Sequence, residues 1–312
     1  MSVLRDNVNL GPAELRRQMA DFVTAAGVFN GISAQLAERG GFRALYLSGS
    51  GVAGGAMGLP PDLSVTTLTE LAEECRRITS VARSPLIVDA DTGFGEAINV
   101  IRTVRLLEAA GASAIHIEDQ VMPKRCGHLE GGKKVIGAEE MGMKVRAAVE
   151  ARKDEDFVII ARTDARAVNG FQDAVERAKF YLDCGADMIF IEALESEEEF
   201  RQFAREVDGP LLANMTEFGK SPLLSAQELK SLGYRAVIFP LTAFRAALKA
   251  MDSVYRDLFR AGTQRGFVDS LMTRKEFYSV IGYDQYAEDD SGIFREVQGG
   301  MQARRGGRGG LI

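Results

Sequence analysis

The chain has 312 residues, a net charge of −6 and a sequence pI of about 5.3, which argues against nucleic acid or an anionic membrane as its main partner. With 46% hydrophobic and 26% charged residues it has the balance of a globular chain, long enough for one large α/β domain. No apolar run approaches a membrane span and the N-terminus lacks a basic-then-apolar signal pattern, so a cytoplasmic protein is expected. Cys75, Cys126 and Cys184 are odd in number and far apart, which indicates neither a disulfide framework nor a clustered zinc site.

In chain order, Gly11-Pro12-Ala13-Glu14-Leu15 opens a short leading helix, with proline in its first turn. Short apolar runs then alternate with helical stretches. Strands are expected at 22–28, 44–47, 86–91, 114–118, 157–162, 188–192, 211–214 and 236–239. Helices are expected at 31–39, 67–81, 97–109, 138–151, 171–183, 196–206, 225–231 and 242–260. Eight such units predict an α/β fold, a (β/α)8 TIM-type barrel, with an open doubly wound sheet as the alternative. Residues 263–285 read as further helix carrying Met, Phe and Tyr. Helices appended to a closed barrel must cover something, and a subunit interface is the expected cover. Residues 1–290 are thus one barrel domain with a C-terminal helical extension. Residues 291–312, Gly- and Arg-rich from Gly299, are expected to be a disordered tail.

In such a barrel, polar residues at the carboxyl ends of strands are the catalytic candidates. Asp89 and Asp91 follow Leu86-Ile87-Val88, a run buried on both faces, and at a spacing of two they face the same way. Two inward carboxylates repel unless a cation neutralises them. Mg2+ suits an all-oxygen site, as does Mn2+; Glu118, one strand along, is placed to hold a metal-bound water. The competing reading is neutralisation by arginine, with Arg162 in reach. Ser48-Gly49-Ser50-Gly51 is a glycine-rich turn whose N–H groups suit an anion. Arg162, Arg245 and Arg274 are candidate clamps for carboxylates, although Arg245 and Arg274 equally suit a surface or an interface. Strands six and seven end at Glu192 and at Asn214-Met215-Thr216. His116 reads as a hydrogen-bonded core histidine, and Cys75 and Cys184 as inert packing residues.

The unit from Glu118 to Arg162 is roughly 15 residues longer than a short βα loop allows. The extra length holds Lys124-Arg125-Cys126-Gly127-His128, between Pro123 and Gly131-Gly132. A thiol between cations is reactive, and a long functional loop is often a lid. A catalytic cysteine on a mobile loop is expected, against the plainer reading of a solvated charged loop.

These residues resemble the isocitrate lyase and phosphoenolpyruvate mutase superfamily. The likeness runs from about residue 22 to 286 and rests on Lys124-Arg125-Cys126-Gly127-His128, Tyr46-Leu47-Ser48-Gly49, Asp89-Ala90-Asp91-Thr92-Gly93-Phe94-Gly95, Ile117-Glu118-Asp119-Gln120 and Asn214-Met215-Thr216-Glu217-Phe218-Gly219. Ala243-Phe244-Arg245-Ala246 and Met272-Thr273-Arg274-Lys275-Glu276-Phe277-Tyr278 add to it. The resemblance implies Mg2+ on Asp89 and Asp91, with Asp62 and Glu118 linked to it through water. It implies substrate contacts from Ser48, Gly49, Ser50, Cys126, Gly127, Arg162, Glu192, Asn214, Thr216, Arg245 and Arg274. It implies retro-aldol cleavage of 2-methylisocitrate to pyruvate and succinate, and a homotetramer built from helix-swapped dimers. In that chemistry Cys126 becomes the proton donor rather than a nucleophile, with Lys124, His128 and Arg162 beside it. Tyr46 or a metal-bound water takes the hydroxyl proton. The alternatives are sister lyases acting on 2,3-dimethylmalate, isocitrate or oxaloacetate, and a phosphonate-type phosphoryl mutase, which the Cys-Gly-His centre disfavours. An RNA-binding role for Arg304-Arg305-Gly306-Gly307-Arg308 is disfavoured by the acidity of the chain.

Overall fold

The computed structural model describes residues 9–61, 63–124 and 132–306, with side chains described as far as residue 298. Eight parallel strands pair in sequence order: β1 (Val23–Val28), β2 (Ala44–Leu47), β3 (Leu86–Asp89), β4 (Ala114–Glu118), β5 (Val158–Thr163), β6 (Met188–Ile191), β7 (Leu211–Asn214) and β8 (Ala236–Phe239). β1 also pairs with β8, Val23 opposite Ala236. The sheet therefore closes as a barrel, and the doubly wound alternative is excluded. The helices Gly31–Arg39, Ala97–Ala109, Ala138–Ala151 and Phe171–Asp183 have the bounds expected of them. Three others begin one residue later, because Thr67, Ser196 and Ser225 are N-caps. Each hydroxyl accepts from the backbone N–H of a glutamate three positions on, and at Thr67 and Ser225 that glutamate's carboxylate accepts from the cap's N–H.

Alternation along the strands divides the core in two. Val23, Ala25, Ala44, Ile87, Val158, Ile160, Leu212 and Ile238 fill the barrel interior, while their neighbours pack outward against the helices. Leu15, on the leading helix Gly11–Met19, joins the interior cluster. Arg16 anchors that helix over the amino-terminal mouth, donating to the Asp156 carbonyl (2.8 Å) and to Asp187 (2.9 Å). At the opposite end the topmost interior layer is aromatic. His116 lies parallel to Tyr46, with centroids 5.8 Å apart, and edge-on to Phe190 at 5.2 Å. Larger side chains at this level carry the polar groups of the site above them.

The barrel is tightest where β1 passes the end of β8. A Cβ at Gly27 would lie 2.0 Å from the Pro240 carbonyl oxygen and 2.5 Å from that of Phe239. Both obstacles are backbone, so neither can swing aside. Gly27→Ala is expected to destabilise the fold by about 3 kcal/mol, read as a lowered midpoint in thermal melting. A wild-type midpoint would mean that the β8 end yields instead.

Asn9–Arg256 forms one compact unit, and the described residues from Asp257 onward form another. The division falls inside helix Thr242–Ala261, ahead of the boundary expected near residue 290. The second unit contains a 3-10 turn at Val268–Ser270, helix Arg274–Ile281 and helix Tyr283–Gly306. Tyr278 stacks on Tyr283 with centroids 4.3 Å apart. The last helix runs through residues 291–306 of the stretch expected to be disordered, and residues 307–312 of that stretch lie outside the described residues. Glycines are scattered along it, but Glu, Gln, Arg, Met and Ala between them favour helix strongly enough to carry it to Gly306.

Candidate active site

A cavity of about 640 Å3 opens among the strands' carboxyl ends. Tyr46, Ser48, Ser50, Asp89, Glu118, Lys124, Arg162, Glu192, Asn214, Thr216 and Arg245 all line it, so residues spread over 200 positions of chain share one chamber. Asp91 lines a smaller cavity alongside. Asp62, Cys126, Gly127 and His128 lie outside the described residues. Arg274 belongs to the second unit, where it opens helix Arg274–Ile281 behind the N-cap Thr273. All five non-glycine residues with a left-handed φ among those described, Ser64, Asp91, Phe94, Ala193 and Phe218, line one of these two cavities. Backbone strain of this kind persists where surrounding structure enforces it, typically at functional sites.

The two aspartates converge, but not by strand alternation. β3 stops at Asp89, and Asp91 sits in a turn with φ 49°. That turn is pinned to β4 by the Ala90 N–H on the His116 carbonyl (3.0 Å) and the Glu118 N–H on the Asp91 carbonyl (2.8 Å). Both carboxylates face Gly49. A Cβ there would lie 3.3 Å from Asp89 Oδ2 and 3.6 Å from Asp91 Oδ1, so glycine is what leaves the space between them open. The Gly49 N–H donates to Asp89 Oδ2 at 3.1 Å. This amide therefore orients a carboxylate instead of waiting for a substrate anion, as the glycine-rich turn had suggested.

The cation beside these carboxylates is a lysine. Lys124 is buried and forms an ion pair with Asp91. Burial works against its charge, but Glu118, Asp89 and Asp91 outweigh that and hold the ammonium well above its ordinary range. Burial likewise pushes the Asp89 carboxyl up. The His116 ring, Lys124, Arg162 and the Gly49 N–H prevail and bring it down to about 2. Among the described residues no group of three or more His, Cys, Asp or Glu side chains is arranged to hold an ion. Two hard carboxylates facing a common open point nevertheless suit Mg2+, which binds through one or two carboxylates and keeps several waters. Asp89 and Asp91 therefore fit a divalent ion, and Lys124 occupies the neighbourhood of its charge.

Arg162 stands at the centre of the opposite wall. Its Nε and Nη2 donate to Asp164 Oδ2 and Oδ1 at 2.9 and 3.1 Å. Glu118 Oε2 lies 3.2 Å from Nε and Glu192 Oε1 3.6 Å from Nη2. The guanidinium carbon rests 4.8 Å above the centre of the Phe190 ring. Arg162 thus meets three carboxylates, from the ends of β4, β5 and β6. Burial raises the Glu118 carboxyl to about 7 despite Arg162 and Lys124, while Gln120 donates to its Oε1 at 3.0 Å. Asn214 donates to Glu192 at 3.2 Å. Further round the rim, Arg245 donates to the Glu217 carbonyl at 2.6 Å and packs 5.2 Å from the centre of the Phe218 ring.

Tyr46 and His116 form a buried pair, with the phenol oxygen 2.8 Å from Nε2. Burial raises the phenol well above its ordinary range and lowers the imidazole to about 4. Both are therefore neutral at neutral pH. Cys75 is fully buried in the helix–strand core and Cys184 is half-buried, and burial pushes both thiols up, Cys75 to about 12. The long insertion after β4 is rooted in a two-stranded neck. Gln120 bridges Val135 antiparallel, and the Val121 N–H donates to the Lys134 carbonyl at 2.8 Å.

Sequence reasoning gave no role to Lys133 or Asp164, which form an ion pair on the cavity wall. It also missed Asp119. This buried carboxylate accepts from Thr163 (2.7 Å), the Asp164 N–H (2.9 Å) and Tyr181 (2.9 Å), and so fixes the end of β5. Asp119 and Asp164 were hinted at only by their positions at the ends of β4 and β5, and Lys133, on the returning limb of the insertion, by no local signal.

A closed barrel with carboxylates, lysines and arginines converging at its carboxyl-terminal face has the architecture of a barrel enzyme acting on a small anionic substrate. Residues 13–259 match the family model described as phosphoenolpyruvate phosphomutase. A 2-methylisocitrate lyase of Aeropyrum pernix is 57% identical over 279 residues, 89% of this chain and 89% of that protein. The solved structure of a 2,3-dimethylmalate lyase superposes with a TM-score of 0.85 at 38% identity, over 92% of this chain and 96% of that one. A phosphonopyruvate hydrolase solved with oxalate and Mg2+ gives a TM-score of 0.81 at 33% identity, over 90% and 98%. The chain belongs to the phosphoenolpyruvate mutase/isocitrate lyase family.

Proposed function

We propose that the protein is a carbon–carbon lyase that cleaves 2-methylisocitrate to pyruvate and succinate with Mg2+ held at Asp89 and Asp91. The observation that carries this reading is the pairing of a two-carboxylate cradle, Asp89 on the wall of the main chamber and Asp91 on that of the smaller cavity alongside, with two separate guanidinium groups lining the main chamber, Arg162 and Arg245. Such a chamber suits a substrate with a metal-binding hydroxy-acid end and further carboxylates. A divalent ion at the cradle would supply Lewis-acid stabilisation of the charge developing on the pyruvate half.

The chain's own residues do the rest. Tyr46 relays the substrate's hydroxyl proton to His116 Nε2, 2.8 Å from its phenol oxygen; the imidazolium so formed lies 3.5 Å from Asp89 Oδ1, whose charge offsets the burial that otherwise keeps the ring neutral. As the carbon–carbon bond breaks, its electron pair stays with the succinate half. Arg162 and Asn214 stabilise that anion, and Cys126 protonates the carbon. The same reading makes the protein a cytoplasmic homotetramer, a dimer of helix-swapped dimers. In support, helix Thr242–Ala261 has no buried residue, and Phe259 and Phe294 are 91% and 62% exposed. No described helix is long and apolar enough to cross a membrane.

Pyruvate release with 2-methylisocitrate, isocitrate, 2,3-dimethylmalate and oxaloacetate tests the substrate. The expected result is the highest kcat/KM for 2-methylisocitrate. Preference for 2,3-dimethylmalate or oxaloacetate would replace this reading with a sister lyase and leave Arg245 without a carboxylate to bind.

A further inference from the structure

Lys133 belongs to none of the roles described so far. It follows Gly132 at the returning end of the insertion, next to the Lys134 carbonyl that accepts from Val121. This neck stations its side chain on the cavity wall, where it is 12% exposed. There it pairs with Asp164, whose side chain is completely buried. Asp164 cannot turn away, because its own N–H is held by Asp119 and its two oxygens accept from Arg162.

The charges around Arg162 make this contact consequential. Glu118, Asp164 and Glu192 surround a single guanidinium. A guanidinium bound bidentately by one carboxylate and crowded by two more offers little attraction to an incoming anion. Lys133 supplies the second positive charge. It shares Oδ1 of Asp164 with Arg162, compensating that carboxylate from the other side.

We infer that Lys133 is a positioning residue for substrate binding: its ammonium neutralises Asp164, so that Arg162 keeps its charge for a carboxylate of the substrate. The inference rests on the lyase reading for its substrate but not for its physics, since any dicarboxylate entering beside Arg162 meets the same balance. Lys133→Met leaves the wall one charge more negative, whereas Lys133→Arg preserves the charge. In Lys133→Met/Asp164→Asn both the lysine and the carboxylate it compensates are gone, and the balance is restored.

The test combines 2-methylisocitrate kinetics, calorimetric titration with succinate and thermal melting on the wild type and these three variants. Lys133→Met is expected to raise KM and weaken succinate binding by roughly tenfold or more, with kcat falling less. Lys133→Arg is expected to stay within about threefold of the wild type, and the double variant to recover most of the lost affinity. Unchanged affinity in Lys133→Met, or a lowered melting point alone, overturns the inference. So does a double variant that binds no better than the single one. A wild type that binds succinate but does not cleave 2-methylisocitrate sinks the lyase reading alone, and the succinate affinities then decide the role of Lys133. A wild type that does not bind succinate overturns both.

Discussion

Asp89→Asn is expected to lower turnover by at least about 1000-fold, the scale set by losing a group that holds the charge-stabilising ion. Asp89 is 6% exposed, takes the Gly49 N–H on Oδ2, and its Oδ1 accepts from the Asp91 N–H at 3.2 Å. The amide keeps the shape and loses the charge that a hard cation requires. Chelation of the wild type with EDTA should abolish turnover equally, and added Mg2+ should restore it in the wild type but not in the variant. Calorimetric titration with Mg2+ provides a readout apart from activity: the wild type should bind and Asp89→Asn should not. Turnover that persists in EDTA would remove the metal from the mechanism and return Asp89 and Asp91 to the role of partners for Lys124.

Cys126→Ser is expected to cost at least about 100-fold in kcat, the contribution general acids make, with substrate affinity nearly unchanged. A hydroxyl is a far weaker acid than a thiol, so the carbon of the departing succinate half would be left without a competent donor. The sequence alone poses a difficulty here, because Lys124 and Arg125 next to the thiol favour the thiolate, which has no proton to give. Of the two cations, Lys124 is buried against Asp91, with Asp89 and Glu118 around it, so its charge is compensated within the carboxylate cradle. Near-normal kcat in Cys126→Ser would take the thiol out of the mechanism. Measuring kcat and KM separately distinguishes that outcome from a loss of binding.

The architecture was legible because its signals are local. Apolar runs of four to six residues, N-caps such as Thr67 and Ser225, and helices with one apolar face each declare themselves within a short window. The count of eight units left a closed barrel and an open sheet both possible, and the pairing of β1 with β8 decided between them. The helix through residues 291–306 was less legible, because glycines are scattered among its helix formers. Strand ends likewise named Ser48, Asp89, Glu118, Arg162, Glu192 and Asn214 on the cavity wall, since the carboxyl end of a barrel strand is where side chains meet a ligand.

What the sequence by itself determined, then, is a barrel of eight units with acids and cations at one mouth, because periodicity and capping act over a few residues. The tertiary structure decided which acid meets which cation. Asp91 reaches the cradle only because β4 holds its turn at a left-handed φ. Lys124 faces Asp91 across 33 positions of chain, and Lys133 faces Asp164 across 31. Arg162 gathers its three carboxylates from adjacent strands, and burial between aromatic rings keeps His116 neutral. Such pairings arise when the barrel closes, because the electrostatic balance of a buried site depends on distances of a few ångströms between segments that no local sequence pattern brings together.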